Sequence, residues 1–259
     1  MVFSGAAAHL TLPKLSEASG AMDSGGDDWQ LSAVTKLDPT VAFLRSVLPA
    51  GFGVAGGPIG ARDATVFPAE EAVIARAVAR RRAEFRAGRA YAREALDQLG
   101  SAPCGIGRGA GGEPLWPAGY TGSVSHTDDF AVAAVARLSA ISAVGLDVEA
   151  DTPLETSLAA VVCRGDELAA ACAAGESEAT AAKRILVAKE AFIKLSYALT
   201  SRPVEVIDIR IDFLGVTEAG QSFRATRRSA PRSGGFEGLL VRSCARIAAV
   251  MYHRRDDAR

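Results

Sequence analysis

The chain has 259 residues, 49% of them apolar and 23% charged, with a formal net charge of −1. A chain of this length can bury a substantial core, and its charge balance gives no basis for nonspecific nucleic-acid binding. Its four cysteines are scattered without a CxxC pair, and no apolar run approaches the ~18 residues of a membrane span; a soluble, cytoplasmic protein is expected, with neither nucleic acid nor membrane as partner.

Residues 1–40 read as a disordered extension, because 16–29 is rich in Ser, Gly and Asp and lacks an apolar period. Order is expected from about Phe43–Leu48. A helical pattern over 68–100 opens on Pro68 and two glutamates and closes on Gly100. Ile74, Val78, Phe85, Ala92, Leu96 and Leu99 form its apolar stripe, and Gly88 is expected to break or kink it. Arg81 and Arg89 fall inside the stripe, where a guanidinium either snorkels outward or meets a buried anion; phosphate suits its shape best. The Gly/Pro-rich stretch 101–122 reads as loop, and its part 105–113 sets Arg108 among five glycines that let backbone amides approach a phosphate. It lacks the strand–GxxxxGK[ST]–helix setting of a P-loop.

Strands are expected at 123–126, 130–138 and 141–150. A mostly helical stretch follows, clearest at 177–199, then an alternating strand at 204–213 and a strand-rich end. This order defines an α+β protein of two similar halves, 41–140 and 141–259. In the strand AVGLDVE, Val144, Leu146 and Val148 point one way and Gly145, Asp147 and Glu149 the other. Residues two apart on a strand stand about 6.6 Å apart, so both carboxylates can lean on one hard cation such as Mg²⁺; Gly145 is expected to leave room beside them. The pattern alone fits a solvated acidic face better than it fits a site. With Leu186 taken as centre of the helix stripe, Glu190 lies about 40° away, facing the core, where an ionised carboxylate needs a cation. An exposed Glu190–Lys194 pair explains the same spacing. Three of the five lysines, Lys183, Lys189 and Lys194, lie in this one segment. His126, on a Ser-rich strand, belongs to no nucleophile constellation.

The ordered blocks RRAEFRAGRAYAREALDQLG, GEPLWPAGYTGSVSH, AVGLDVE and AKEAFIK resemble the 4′-phosphopantetheinyl transferases, and within them the subgroup serving enterobactin-type synthetases. GxDxE followed about forty residues later by KExxxK is that superfamily's signature, and the resemblance covers roughly 65–200. It implies a two-half, pseudo-dimeric monomer that moves the phosphopantetheine arm of coenzyme A to a serine of an apo acyl or peptidyl carrier protein. It further implies Asp147, Glu149 and Glu190 as ligands for Mg²⁺, or Mn²⁺ in its place, with Glu190 also the candidate base beside Lys194. Ser125 and His126 match the pair that contacts the adenosine end of coenzyme A; Arg81, Arg89, Arg108, Lys189 and Lys194 match its basic contacts. Gly111 and Gly112 stand where relatives often carry basic residues. A non-catalytic coenzyme A- or nucleotide-binding protein and a different magnesium-dependent phosphotransfer enzyme are the competing readings.

Overall fold

The segment FAVAAVAR has no polar side chain before its last residue, so it requires strand partners on both edges and cover on both faces. A computed structural model, which describes residues 37–61, 67–172, 175–231, 234–243 and 245–255, provides them. This strand, β5 (Phe130–Arg137), is central in a three-stranded antiparallel sheet between β1 (Phe52–Pro58) and β4 (Tyr120–His126). Helix α1 (Pro39–Val47) packs on β1; Asp38 caps it by accepting the Thr40 N–H at 2.8 Å. Pro39 and Thr40 therefore belong to a helix rather than to the expected extension, whose first 36 residues lie outside the described ones.

The expected helix over 68–100 is two helices, α2 (Pro68–Ile74) and α3 (Ala79–Asp97). The break falls at Val78, extended and 72% exposed, and not at Gly88. Gly88 is retained inside α3 because a Cβ there would press on Val124 of β4 at 3.0 Å. The loop 101–122 contains a short hairpin, β2 (Gly107–Arg108) and β3 (Pro114–Leu115), and the first residues of β4.

Chain reversal after β5 starts β6 (Ile141–Ala150), the edge of a second, five-stranded antiparallel sheet. Three helices follow it: α4 (Thr156–Val162), α5 (Gly165–Ala171) and α6 (Glu178–Thr200). The alternating segment at 204–213 is a strand only from Ile209, after a single 3₁₀ turn at Val206–Asp208. The strands β7 (Ile209–Thr217), β8 (Gly220–Arg227), β9 (Phe236–Ser243) and β10 (Arg246–Arg254) complete the order β6-β10-β9-β8-β7. An α+β architecture is thus present, with helices segregated from antiparallel sheets.

The alternation read in β6 holds. Val144, Leu146 and Val148 enter one core with Val41, Leu44, Val54 and Val132, while Gly145, Asp147 and Glu149 face α6. Gly145 does not make room for an ion, however. A Cβ there would collide with the Ala191 carbonyl and stand 2.9 Å from Leu195 Cβ, so the glycine lets α6 lie directly on the strand.

The two sheets meet edge to edge at β4 and β6 without sharing a backbone ladder. Serine hydroxyls bridge the seam instead. Ser123 Oγ accepts the Leu146 N–H at 3.1 Å, and Ser125 Oγ accepts the Val148 N–H at 3.2 Å. Backbone donors that would otherwise be buried unpaired are satisfied in this way.

Gly145→Ala is expected to destabilise the fold by about 1–3 kcal/mol or more, the usual range for overpacking against unyielding atoms. Urea unfolding measures this, and an unchanged midpoint would contradict the close approach of α6 to β6.

Candidate active site at the sheet seam

Strand β6 delivers Asp147 to the seam, where it is 5% exposed. Its Oδ1 accepts the Ser125 hydroxyl at 2.8 Å and the Lys194 ammonium at 2.8 Å. The same ammonium donates to the Leu146 carbonyl at 2.9 Å and reaches the Val124 carbonyl at 3.5 Å, so one lysine of α6 touches both edge strands. Asp147 Oδ2 is buried and has no hydrogen-bond partner. Glu149, two residues on, pairs with Lys183 at 3.3 Å. Burial, and next the negative charge of Asp147, raise the carboxyl pKa of Glu190, with Lys194 opposing and Glu149 adding to the rise.

From β4, His126 meets α3. Its Nε2 lies 2.6 Å from an Arg81 nitrogen that can only donate, so that ring nitrogen accepts and the imidazole is neutral. Burial lowers the His126 pKa, and the charge of Arg81 lowers it further. Arg81 is held in turn by Glu84 at 3.1 Å, and Arg80 reaches the other oxygen of that carboxylate at 3.4 Å. Arg89 is buried. Its Nε donates to the Ile106 carbonyl at 2.8 Å, its Nη2 to Gly107 at 3.0 Å, and its guanidinium lies over Phe85 at 4.4 Å. Burial brings its pKa down to about 10, which leaves the charge intact at neutral pH. It therefore carries positive charge into the site and also fixes the start of the β2–β3 loop.

A cleft of about 290 Å³ connects these parts; among its lining residues are Arg81, Arg89, Arg108, Ser125, His126, Asp147 and Lys194. They come from α3, the loop hairpin, β4, β6 and α6. A larger cleft of about 610 Å³ between α1 and strands β9 and β10 contains none of the expected site residues.

Some expectations are corrected. Lys189 does not face the cleft: it is 0% exposed and donates to the Val162 carbonyl and to Glu167 Oε2, each at 2.8 Å. Glu167 Oε1 accepts the Ile211 N–H at 2.7 Å, so this buried pair fastens α5, α6 and β7 and is no phosphate contact. The stripe of α6 is centred not on Leu186, which is only partly buried, but on Ile185, Ala188, Phe192 and Leu195. Gly111 also has a local reason, since a Cβ there would collide with the Tyr197 phenol. Glu84, buried at 5% and lining the cleft, escaped the sequence reading; the question of which carboxylate, one turn from Arg81, holds that arginine would have found it.

The donor chemistry fits Mg²⁺. Among the described residues no three His, Cys, Asp or Glu side chains form a ready-made metal cluster. Mg²⁺ is ordinarily held by one or two carboxylates, waters and substrate phosphates rather than by a protein cage. The unpartnered Asp147 Oδ2, with Glu149 and Glu190 adding negative charge nearby, supplies that partial set.

Residues 69–136 match the family model of the 4′-phosphopantetheinyl transferase N-terminal domain. The 4′-phosphopantetheinyl transferase PptT of Mycobacterium tuberculosis is 37% identical over 149 residues, 58% of this chain and 66% of the relative. Npt of Nocardia iowensis is 40% identical over 107 residues, 41% of this chain and 48% of the relative. Svp of Streptomyces mobaraensis is 38% identical over 137 residues, 52% of this chain and 56% of the relative. The matched part of the chain thus spans about half to two thirds of the length of these relatives. Together they support the 4′-phosphopantetheinyl transferase superfamily for this chain, and the helix–strand order agrees with an α+β fold of that kind. No helix among the described residues is long and apolar enough to cross a membrane.

The His126 environment predicts a titration. Arg81 and Lys194 press its pKa down and Glu84 draws it up, burial being the largest effect. NMR of the imidazole is expected to give a midpoint below about 6.5, with Arg81→Met moving it up and Glu84→Gln moving it down. Because the unfolded histidine binds its proton first, this group removes stability as pH falls below about 6.5 toward the folded midpoint. A wild-type midpoint at or above the ordinary value would contradict the Arg81–His126 pairing.

Proposed function

We propose that the chain transfers the 4′-phosphopantetheine arm of coenzyme A to a serine of an apo acyl or peptidyl carrier protein, releasing adenosine 3′,5′-bisphosphate. The observation that carries this reading is the cleft at the seam. There, basic residues from the α3 block, the hairpin and α6 converge on the serine–histidine pair and on Asp147. A carboxylate alone would serve many reactions; the guanidinium and ammonium groups around Asp147 narrow the substrate to a phosphate-rich one.

In this mechanism Arg81 and Arg108 bind the phosphates of coenzyme A, the buried cation of Arg89 reinforces them, and His126 holds Arg81 in place at the adenosine end. The carrier serine oxygen bonds to the phosphorus that bears the pantetheine arm, while the bond from that phosphorus to the bridging oxygen breaks. The leaving bisphosphate takes the electron pair. Glu190 accepts the serine proton, directly or through water. Asp147, Glu149 and Glu190 would hold Mg²⁺, or Mn²⁺ in its place, which when bound would supply positive charge to the phosphate-rich co-substrate. Lys194 fixes Asp147 and sets a positive charge beside the reacting phosphate.

In this reading the halves 41–140 and 141–259 form a monomeric pseudo-dimer whose seam is the active site. The WPxGxxGSxSH block favours the enterobactin-type subgroup, and hence carriers of siderophore, polyketide or nonribosomal peptide assembly in the cytoplasm.

Incubation with coenzyme A, Mg²⁺ and apo-carriers should add the mass of the phosphopantetheine arm to the carrier. Asp147→Ala is expected to abolish transfer with the fold intact, and Glu190→Gln to slow it by about 10²-fold or more. No mass gain on any carrier with folded protein would overturn the assignment; full activity in either variant would relocate the site.

A further inference from the structure

We propose that Ser125 is a positioning residue that aims Asp147 at the divalent cation. This rests on the function proposed above and concerns how its cation site is set. The family resemblance pairs Ser125 with His126 at the adenosine end and gives its hydroxyl no task at the cation.

A serine hydroxyl has one proton to give and two lone pairs. Ser125, 5% exposed, gives that proton to Asp147 Oδ1 at 2.8 Å and accepts the Val148 N–H at 3.2 Å. His126, next along β4, points its ring to Arg81 instead, so the two neighbours serve different ends of the cleft.

Ser123 provides an internal comparison. It lies on the same face of β4 two residues earlier and accepts the Leu146 N–H at 3.1 Å, with the Leu146 carbonyl at 3.5 Å. Both serines therefore stitch β4 to β6. Only Ser125 has a carboxylate as its second partner.

Asp147 is thus held at one oxygen from two sides, by a hydroxyl of β4 and an ammonium of α6. Two donors on Oδ1 fix the carboxylate so that Oδ2, buried and without a partner, is the atom presented. Without the hydroxyl, Lys194 is the sole anchor, and the carboxylate can turn to give both oxygens to the ammonium. A cation would then compete with Lys194 for the same charge.

Mn²⁺ binding, read from the electron paramagnetic resonance of the free ion with coenzyme A at saturation, tests this without reference to turnover. Ser125→Ala is expected to weaken Mn²⁺ binding by about 10- to 100-fold, the usual effect of removing a ligand's hydrogen-bond support. Its equilibrium affinity for coenzyme A measured without metal should stay at the wild-type level. Ser125→Thr, which keeps the hydroxyl, should restore Mn²⁺ affinity. Ser123→Ala should lose stability comparably to Ser125→Ala while binding Mn²⁺ as the wild type does. Should Ser125→Ala not fold, Ser125→Cys, whose thiol is a weak donor, is read in its place. Unchanged Mn²⁺ affinity in Ser125→Ala overturns the inference and leaves the transferase reading standing, as does a loss confined to coenzyme A affinity. Mn²⁺ binding that survives Asp147→Ala overturns the cation site itself and the inference with it.

Discussion

A buried carboxylate held between two sheets is the constraint on which the rest of this site depends. Asp147 is brought to the seam by β6, which needs Val144, Leu146 and Val148 in the core and therefore turns Asp147 toward α6. A carboxylate in that position is costly unless paired. Lys194 and Ser125 offset the cost, and in doing so each reaches across from a different element. The ammonium also caps carbonyls of both edge strands, so one lysine serves the ion pair and the junction of the sheets. Gly145 completes the arrangement by letting α6 come close enough for Lys194 to reach.

Electrostatics divides the molecule's lysines by task. Lys189 and Glu167 are both fully buried, and removing either would leave the other charge without a partner, a loss of about 3–5 kcal/mol in comparable buried pairs. That pair holds the frame of the second half. Lys183 and Lys194, on the same helix, meet Glu149 and Asp147 instead. The helix α6 thus has a structural lysine on one side and site lysines on another. On the opposite wall of the cleft, Glu84 has the corresponding role for arginine, fixing Arg81 so that it donates to a neutral His126.

What the sequence disclosed follows the range of the interactions. The period-two pattern of β6 assigned its faces correctly, because strand alternation is local. Motif order singles out Arg81, Arg89, Arg108, Ser125, His126, Asp147 and Lys194, which meet only in the folded cleft. The wheel on α6 misled because that helix is covered by the five-stranded sheet and by α4 and α5, so its buried arc is too broad for one stripe to define. The structural role of Lys189 is hidden for the same reason: its partner lies 22 positions away in the chain, on α5. The strand FGVAGGP has no alternation to read; it is a strand because β5 needs a second edge, and Gly53 is there because a side chain would collide with the Ala95 carbonyl of α3. The contact between Ser125 and Asp147 joins two separate sheets, and no local pattern encodes it.

The central claim, that the seam cleft is the coenzyme A and cation site, is tested most directly by a crystal structure with coenzyme A and Mn²⁺. Anomalous scattering should locate the ion bonded to Asp147 Oδ2, with the phosphates of coenzyme A against Arg81 and Arg108. Coenzyme A in the larger cleft beside α1, or an ion remote from Asp147, would contradict it.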